Sequence, residues 1–246
     1  MRSNLPIINV YKKKSIKSKL LVTQLLYGDS FKIIKKTGYW IKIKNNLDGY
    51  VGFIKKINFP HNNKKNTHKV YSLFANLYTK PNLKFKTKKK ISFGSKIKIT
   101  EKKNKFYKFD NFWVSKKDLK TTEYKAKDIF KGLNKFVGTK YVWGGKHFSG
   151  VDCSGLVQLF LNFNNRYCPR DSKDQIIYFK KKIKLKNIRK NDLIFWKGHV
   201  AIAISKQRLI HAYGPLKSTV IMSIKNTINK IYKTANLKVI GIRRIN

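Results

Sequence analysis

The chain has 246 residues with 57 Lys and Arg against 11 Asp and Glu, a formal net charge of +46 at neutral pH. Hydrophobic residues make up 41% and aromatic residues 13%, which excludes a disordered basic tail and calls for a folded core. With only 5 Pro and 14 Gly, collagen-like and Pro-rich chains are excluded as well.

The basic excess is nearly all Lys and runs along the whole chain, alternating with Ile, Phe, Asn and Tyr as in residues 84–90 and 96–105. A nucleic-acid binder more often gathers its cations on one face or tail, and a polybasic membrane anchor lies beside an apolar segment. Neither pattern is present, so the charge reads as a compositional bias on solvated surfaces and no specific nucleic-acid partner is expected. No stretch approaches the ~18 to 20 apolar residues of a membrane span. No apolar run of signal-peptide length follows Arg2, so a cytoplasmic location is the expectation, with export by another route left open. The two cysteines, Cys153 and Cys168, rule out a disulfide framework, fit a reducing compartment and are too few for a zinc site of the usual spacing.

In chain order, residues 20–27, 31–34, 39–43 and 50–54 are strand-length apolar runs separated by Gly28-Asp29, Gly38 and Asp48-Gly49, which predicts a small antiparallel barrel or sandwich. A weaker copy follows, with residues 75–80 as its first strand, Gly94 in the place of Gly28, residues 96–100 in the place of 31–34, and a hairpin over 106–114. The offset of 66 residues between the two glycines predicts tandem modules joined by a polar link over 61–68. After Thr122 the period changes. Ile129, Leu133, Phe136 and Val137 predict a helix ending near Gly138, and Leu156, Leu159, Phe160 and Phe163 give the inward stripe of a helix over 153–163. Strands are expected at 192–196, 199–205, 208–213 and 238–245, and helices followed by consecutive strands indicate an α+β domain with an antiparallel sheet.

Chemistry concentrates between Tyr141 and Leu156, where Gly144, Gly145 and Gly150 precede Asp152-Cys153-Ser154-Gly155 at the start of the second helix. The exposed N–H groups of a helix N-terminus favour thiolate over thiol and can receive an oxyanion, so Cys153 is expected to have a lowered pKa and to act as a nucleophile. His199 and His211 lie on two strands joined by a turn at Lys206-Gln207, a hairpin that sets both rings on one face; His199 would move protons and His211 would fix its tautomer. Asp152 also suits a helix start, Ser172 a helix cap ahead of Gln175, Tyr141 and Trp143 either a cleft wall or core. His147 reads as a polar loop residue, Cys168 as structural, and His61 and His68 as link residues without a specific task.

These residues together, with Gly198-His199-Val200 and His211-Ala212, resemble the NlpC/P60 family of papain-like cysteine peptidases over residues 126–246, and the upstream modules resemble the bacterial SH3 domains joined to them. The resemblance implies an α+β, papain-like catalytic domain at 126–246 behind two small all-β SH3-like barrels at 1–60 and 66–120, the second divergent. It implies Cys153 as nucleophile, His199 as base and His211 as third member, with no cofactor or metal. Tyr141, Asp152, Ser154 and Ser172 match the motif of members that cut the γ-D-glutamyl to diamino-acid bond of murein peptides bearing a free N-terminal L-Ala. Asp29 and Tyr50 would belong to a wall that the first barrel adds to the cleft. The family's usual Pro-Gly-Asp turn is Lys190-Asn191-Asp192 here. An amidase or acyl transferase of the same fold, and a non-catalytic polyanion-binding protein, remain alternatives, and the sequence leaves the oligomeric state open.

Overall fold

In the computed structural model, residues 1–17, 20–59 and 65–245 are described, and they fall into two compact units: Met1–Lys125 with Trp143–Phe148, and Ala126–Val142 with Ser149–Asn246. Residues 61–64, which include His61 of the expected polar link, lie outside the described residues.

The first unit is all-β. Strands β1 (Ile7–Tyr11), β2 (Leu21–Leu26), β3 (Phe31–Thr37), β4 (Trp40–Asn45) and β5 (Val51–Lys55) form one sheet in the order β2-β1-β5-β4-β3. The Lys-Ile alternation that looks like mere bias in the sequence is here a period-two strand pattern: on β4, Ile41 and Ile43 are buried while Lys42 and Lys44 point outward. Ile8, Val10, Leu25, Phe31, Ile41, Ile43 and Ile54 close over one core. Strand β1 has no counterpart in the expected elements, because Asn4 and Pro6 precede it and Asn9 interrupts its short apolar run; it is recruited by pairing with β2 and β5.

Eight more strands follow: β6 (His68–Val70), β7 (Phe74–Tyr78), β8 (Lys86–Ser92), β9 (Lys96–Ile97), β10 (Glu101–Lys103), β11 (Phe106–Phe109), β12 (Phe112–Ser115) and β13 (Leu119–Thr121). They form a sheet β10-β11-β12-β7-β8 and a smaller one, β13-β6-β9, around Val70, Leu77, Ile91, Ile97, Phe109 and Val114. The internal repeat extends to backbone hydrogen bonds. Gly28 and Gly94 both have φ +82°; the Gly28 amide donates to Ser3 O and the Gly94 amide to Val70 O, each 66 or 67 residues from its copy, and Ser3 N to Asp29 O is matched by Val70 N to Ser95 O. The expected link ends earlier than residue 68, since His68 is the first residue of β6 and its ring meets Tyr107. The two copies share a seam, where the Lys96 amide donates to Tyr27 O and the Tyr27 ring packs edge-on against Phe109. A further short strand of this unit, β14 (Lys146–His147), places His147 in a buried position against Phe148 rather than in the polar loop expected.

The second unit is α+β. The expected helix ending near Gly138 is instead a run of tight turns and one 3-10 turn at Leu133–Phe136. Asp128 accepts from the Phe130 amide and Gly132 sits at φ +79°, which breaks the helical path at its middle. After β15 (Gly150–Val151) comes α1 (Cys153–Phe163), with the bounds the sequence indicates. Ten of its eleven residues are buried, so it is enclosed on all sides rather than presenting one inward stripe. Then come α2 (Ser172–Tyr178), β16 (Lys181–Lys182), β17 (Asp192–Trp196), β18 (His199–Ala203), β19 (Arg208–Tyr213), β20 (Ser218–Ser223), α3 (Ile224–Ala235) and β21 (Gly241–Arg244). The last expected strand is thus shorter than 238–245, and α2, β16, β20 and α3 are additions to the expected elements.

The six-stranded sheet runs β16-β21-β17-β18-β19-β20, antiparallel throughout. Helix α1 packs on β18 and β19, and α3 applies Ile224, Ile228 and Ile231 to a core with Ile194, Trp196, Ala203 and Leu209. In the turn before β17, Asn191 takes the left-handed conformation at φ +73°, and Asp192 Oδ2 accepts from the Arg189 amide at 2.9 Å. Asp192 also receives both Arg244 Nε and Nη2 at 2.8 Å, pinning β17 to β21.

Gly28 carries the sharpest packing constraint. A Cβ there would lie 1.9 Å from the Lys96 carbonyl oxygen, whereas one at Gly38 (φ +55°) meets nothing within 4 Å. Gly28→Ala is expected to destabilise the first unit by at least ~2 kcal/mol and Gly38→Ala by about 1 kcal/mol. Thermal unfolding of the two variants measures the difference, and equal losses would show that the seam around Lys96 yields freely.

Candidate active site

Asp152 stands in extended backbone (φ −100°, ψ 175°), and its Oδ1 accepts the Gly155 amide at 2.7 Å, so the carboxylate is the N-cap that starts α1 at Cys153. It has a second partner. Arg170, from the loop before α2, places Nη1 3.0 Å from Oδ1 and Nη2 2.6 Å from Oδ2, with Nη1 also 3.0 Å from the Ser154 hydroxyl. The Arg170 and Asp152 side chains are 1% and 8% exposed, so this is a buried, bidentate ion pair. The Ser154 hydroxyl donates to Asp152 Oδ1 at 3.3 Å. Gln175 of α2 fixes the Arg170 loop to α1 by donating to Ser154 O and Pro169 O, while Gln158 donates to Cys168 O. Cys168 is buried in this packing, consistent with the structural part expected of it.

The Cys153 sulfur is buried and receives backbone N–H groups of Val200 and Ser154, so the first residue of α1 meets the start of β18. Here the expectation of a lowered pKa is overturned. Burial, then the neighbouring Asp152 charge, pushes the thiol up to about 12, against the opposite pull of the two amides and Arg170. The helix N-terminus is present, but its effect is outweighed by desolvation, and the resting sulfur is a neutral thiol.

Beside Val200, the ring of His199 keeps partial solvent access, and its Nε2 lies 2.8 Å from Nδ1 of the buried His211. In the β18-β19 register Ile202 faces Ile210, so the two histidines are diagonal neighbours on one face of the hairpin, as expected from the turn at Lys206-Gln207. His211 Nε2 meets the Met222 sulfur at 3.4 Å, and its ring stacks on Tyr213 at 4.6 Å. A proton on His211 Nε2 directed at Met222 leaves Nδ1 to accept from His199 Nε2–H, and His199 Nδ1 is then the basic nitrogen. Burial lowers His199 to about 4, against the pull of Asp152, and lowers His211 to about 3 with help from His199. Both rings are therefore neutral at rest.

Tyr141 is half-buried beside Gly214, within electrostatic reach of Cys153 and Asp152; burial, then those charges, raises its phenol and keeps it protonated. Ser172 is the buried first residue of α2, and the cap site before it is occupied by Asp171, so the alternative reading of Ser172 as the cap does not hold. Asp29 and Tyr50 belong to the first unit, where Asp29 Oδ2 accepts the Leu26 amide in its own turn and the Tyr50 amide donates to Asp48. Arg170, Gln175 and Met222 join the site without a motif that singles them out in the sequence. A signal for Arg170 was available: in a chain so biased to Lys, an Arg is the residue that a bidentate carboxylate contact demands.

Comparison with known proteins gives the same direction. Residues 138–240 match the NlpC/P60 family, and residues 14–56 match the bacterial dipeptidyl-peptidase Sh3 domain. The chain is 25% identical over 236 residues to a gamma-D-glutamyl-L-lysine dipeptidyl-peptidase of Bacillus subtilis, covering 85% of this chain and 78% of that one. It is likewise 25% identical over 239 residues to the protein of that name from Bacillus cereus, covering 83% and 71%. A solved NlpC/P60 family protein from Bacillus cereus superposes with a TM-score of 0.83 at 20% identity, over 99% of this chain and 98% of that one, which establishes a shared fold.

Two neutral imidazoles, His211 buried and His199 half-buried, make stability pH-dependent. Their unfolded values near 6.5 exceed the folded ones, so stability is full above about pH 6.5 and falls as acid protonates the unfolded chain first. A loss of a few kcal/mol is expected between pH 6.5 and 3.5. His211→Gln should flatten that acid limb in thermal melts taken from pH 7.5 to 4; parallel curves for parent and variant would contradict the buried, neutral state of His211.

Proposed function

We propose that this chain, a cysteine-peptidase-type hydrolase with an NlpC/P60 domain behind a bacterial SH3 domain, hydrolyses the γ-D-glutamyl to diamino-acid bond of murein peptides with a free N-terminal L-Ala. The observation that carries the reading is the joint geometry at one helix start: a cysteine beside Val200, the His199-His211 pair on the adjoining hairpin, and the Asp152-Ser154 cluster next to the sulfur. The naming of the two Bacillus relatives supports the choice of bond.

In this reading residues 126–246 form a papain-like catalytic domain, and 1–60 and 66–120 are two SH3-like barrels. The Cys153 thiol passes its proton to His199 Nδ1 as sulfur attacks the γ-carbonyl carbon, and first-turn amides of α1 other than that of Gly155 receive the oxyanion. His199 then returns the proton to the leaving amine, the C–N bond breaks, and the acyl group stays on sulfur as a thioester. Water, deprotonated by the same ring, releases the L-Ala-D-Glu product and restores the thiol. His211 holds the tautomer and orientation of His199 throughout. The remaining acceptor capacity of Asp152, with Tyr141, Ser154 and Ser172, receives the substrate ammonium. The positive field of the chain suits the α-carboxylate of D-Glu.

Incubation with L-Ala-γ-D-Glu-diaminopimelate should release the L-Ala-D-Glu dipeptide. Cys153→Ala and His199→Ala are each expected to lower turnover by about 10³-fold or more, and acetylating the peptide N-terminus by about 10²-fold. Cleavage by Cys153→Ala at the parental rate would remove the mechanism, and indifference to acetylation would remove the ammonium pocket.

A further inference from the structure

We propose that Arg170 is a positioning residue of this active site: by clamping Asp152 and Ser154 it fixes the start of α1 and offsets the carboxylate charge beside the Cys153 sulfur, so that the sulfur can become an anion during attack. The inference rests on the reading of Cys153 as the nucleophile. Arg170 makes two short contacts with one carboxylate and a third with the hydroxyl on the other flank of the cysteine, all inside the protein. A helix cap needs no such partner, since Asp152 satisfies the Gly155 amide with one oxygen.

What the pair accomplishes follows from charge. An unpaired carboxylate one residue from the sulfur opposes a second negative charge there, and in a buried site that opposition is strong. The groups acting on the sulfur are Asp152 at the helix start, Arg170 from the loop before α2, Tyr141 from the segment before β15, and the Val200 and Ser154 amides; His199, next to Val200 in the chain, feels the Asp152 charge and pairs with His211. Asp171 acts on Arg170. Of these, Asp152 raises the thiol and Arg170 lowers it, while Tyr141 and the two imidazoles are uncharged at rest. Lys in place of Arg170 supplies the charge but cannot span both carboxylate oxygens and the Ser154 hydroxyl from one planar group.

The test reads the sulfur itself, with no peptide. The rate of iodoacetamide alkylation of Cys153, in the Cys168→Ser background, is followed from pH 6 to 11 in the full chain. Arg170→Gln is expected to slow alkylation at pH 8 by about tenfold, Asp152→Asn to speed it by a similar factor, and the double Asp152→Asn/Arg170→Gln variant to return within about threefold of the parent. Arg170→Lys should fall between the parent and Arg170→Gln. If Arg170→Gln does not fold, the other variants still decide, because they leave no buried carboxylate without a cation. Asp152→Asn alkylated no faster than the parent, or a double variant as slow as a tenfold loss, overturns the proposal. Failure to cleave a murein peptide would instead strike at the substrate reading and leave this ordering of rates untouched.

Discussion

One carboxylate organises the second unit. Asp152 begins α1 by accepting the Gly155 amide, and through Arg170 it ties that helix to the loop before α2. Because α1 is buried almost all round, its register cannot slide, and the residue at its first position is carried to a fixed point beside Val200. The sulfur has no freedom to choose its surroundings; they are set by the cap, the ion pair and the strand that follows.

The second constraint is a one-way chain of donors. Met222, His211 and His199 lie in sequence along β20, β19 and β18, and a thioether at the far end can only accept. That fixes which nitrogen of each ring holds a proton, without a carboxylate behind the histidines. An acidic third member would favour an imidazolium at His199, whereas His211 supplies orientation with little charge, and burial keeps both rings neutral. Thiol and imidazole thus both rest uncharged.

Much of this was legible in the sequence because it is written in local signals. The bounds of α1, the strands at 192–196 and 208–213, and the turn between the histidines follow from apolar spacing and turn residues, and Gly28 and Gly94 share one backbone conformation because they do one job in two copies. The parts that escaped depend on distant partners. Strand β1 is held by β2 and β5 in spite of its polar interruption, and the helix expected over residues 129–137 is cut by Gly132 and the Asp128 turn. The thiol is the clearest case: the helix N-terminus can be read from Asp-Cys-Ser-Gly, but the burial that outweighs it requires the β18 contact and the enclosing core. His147 and Arg170 likewise became interpretable only once their burial was known.

A sulfur kept protonated by burial has a chemical consequence of its own. Peroxides and other mild oxidants react with the anion far faster than with the neutral group, so a resting site of this kind is shielded from sulfenic acid formation by the same desolvation that raises its proton affinity. Resistance to oxidation is then a property of the burial around residue 153.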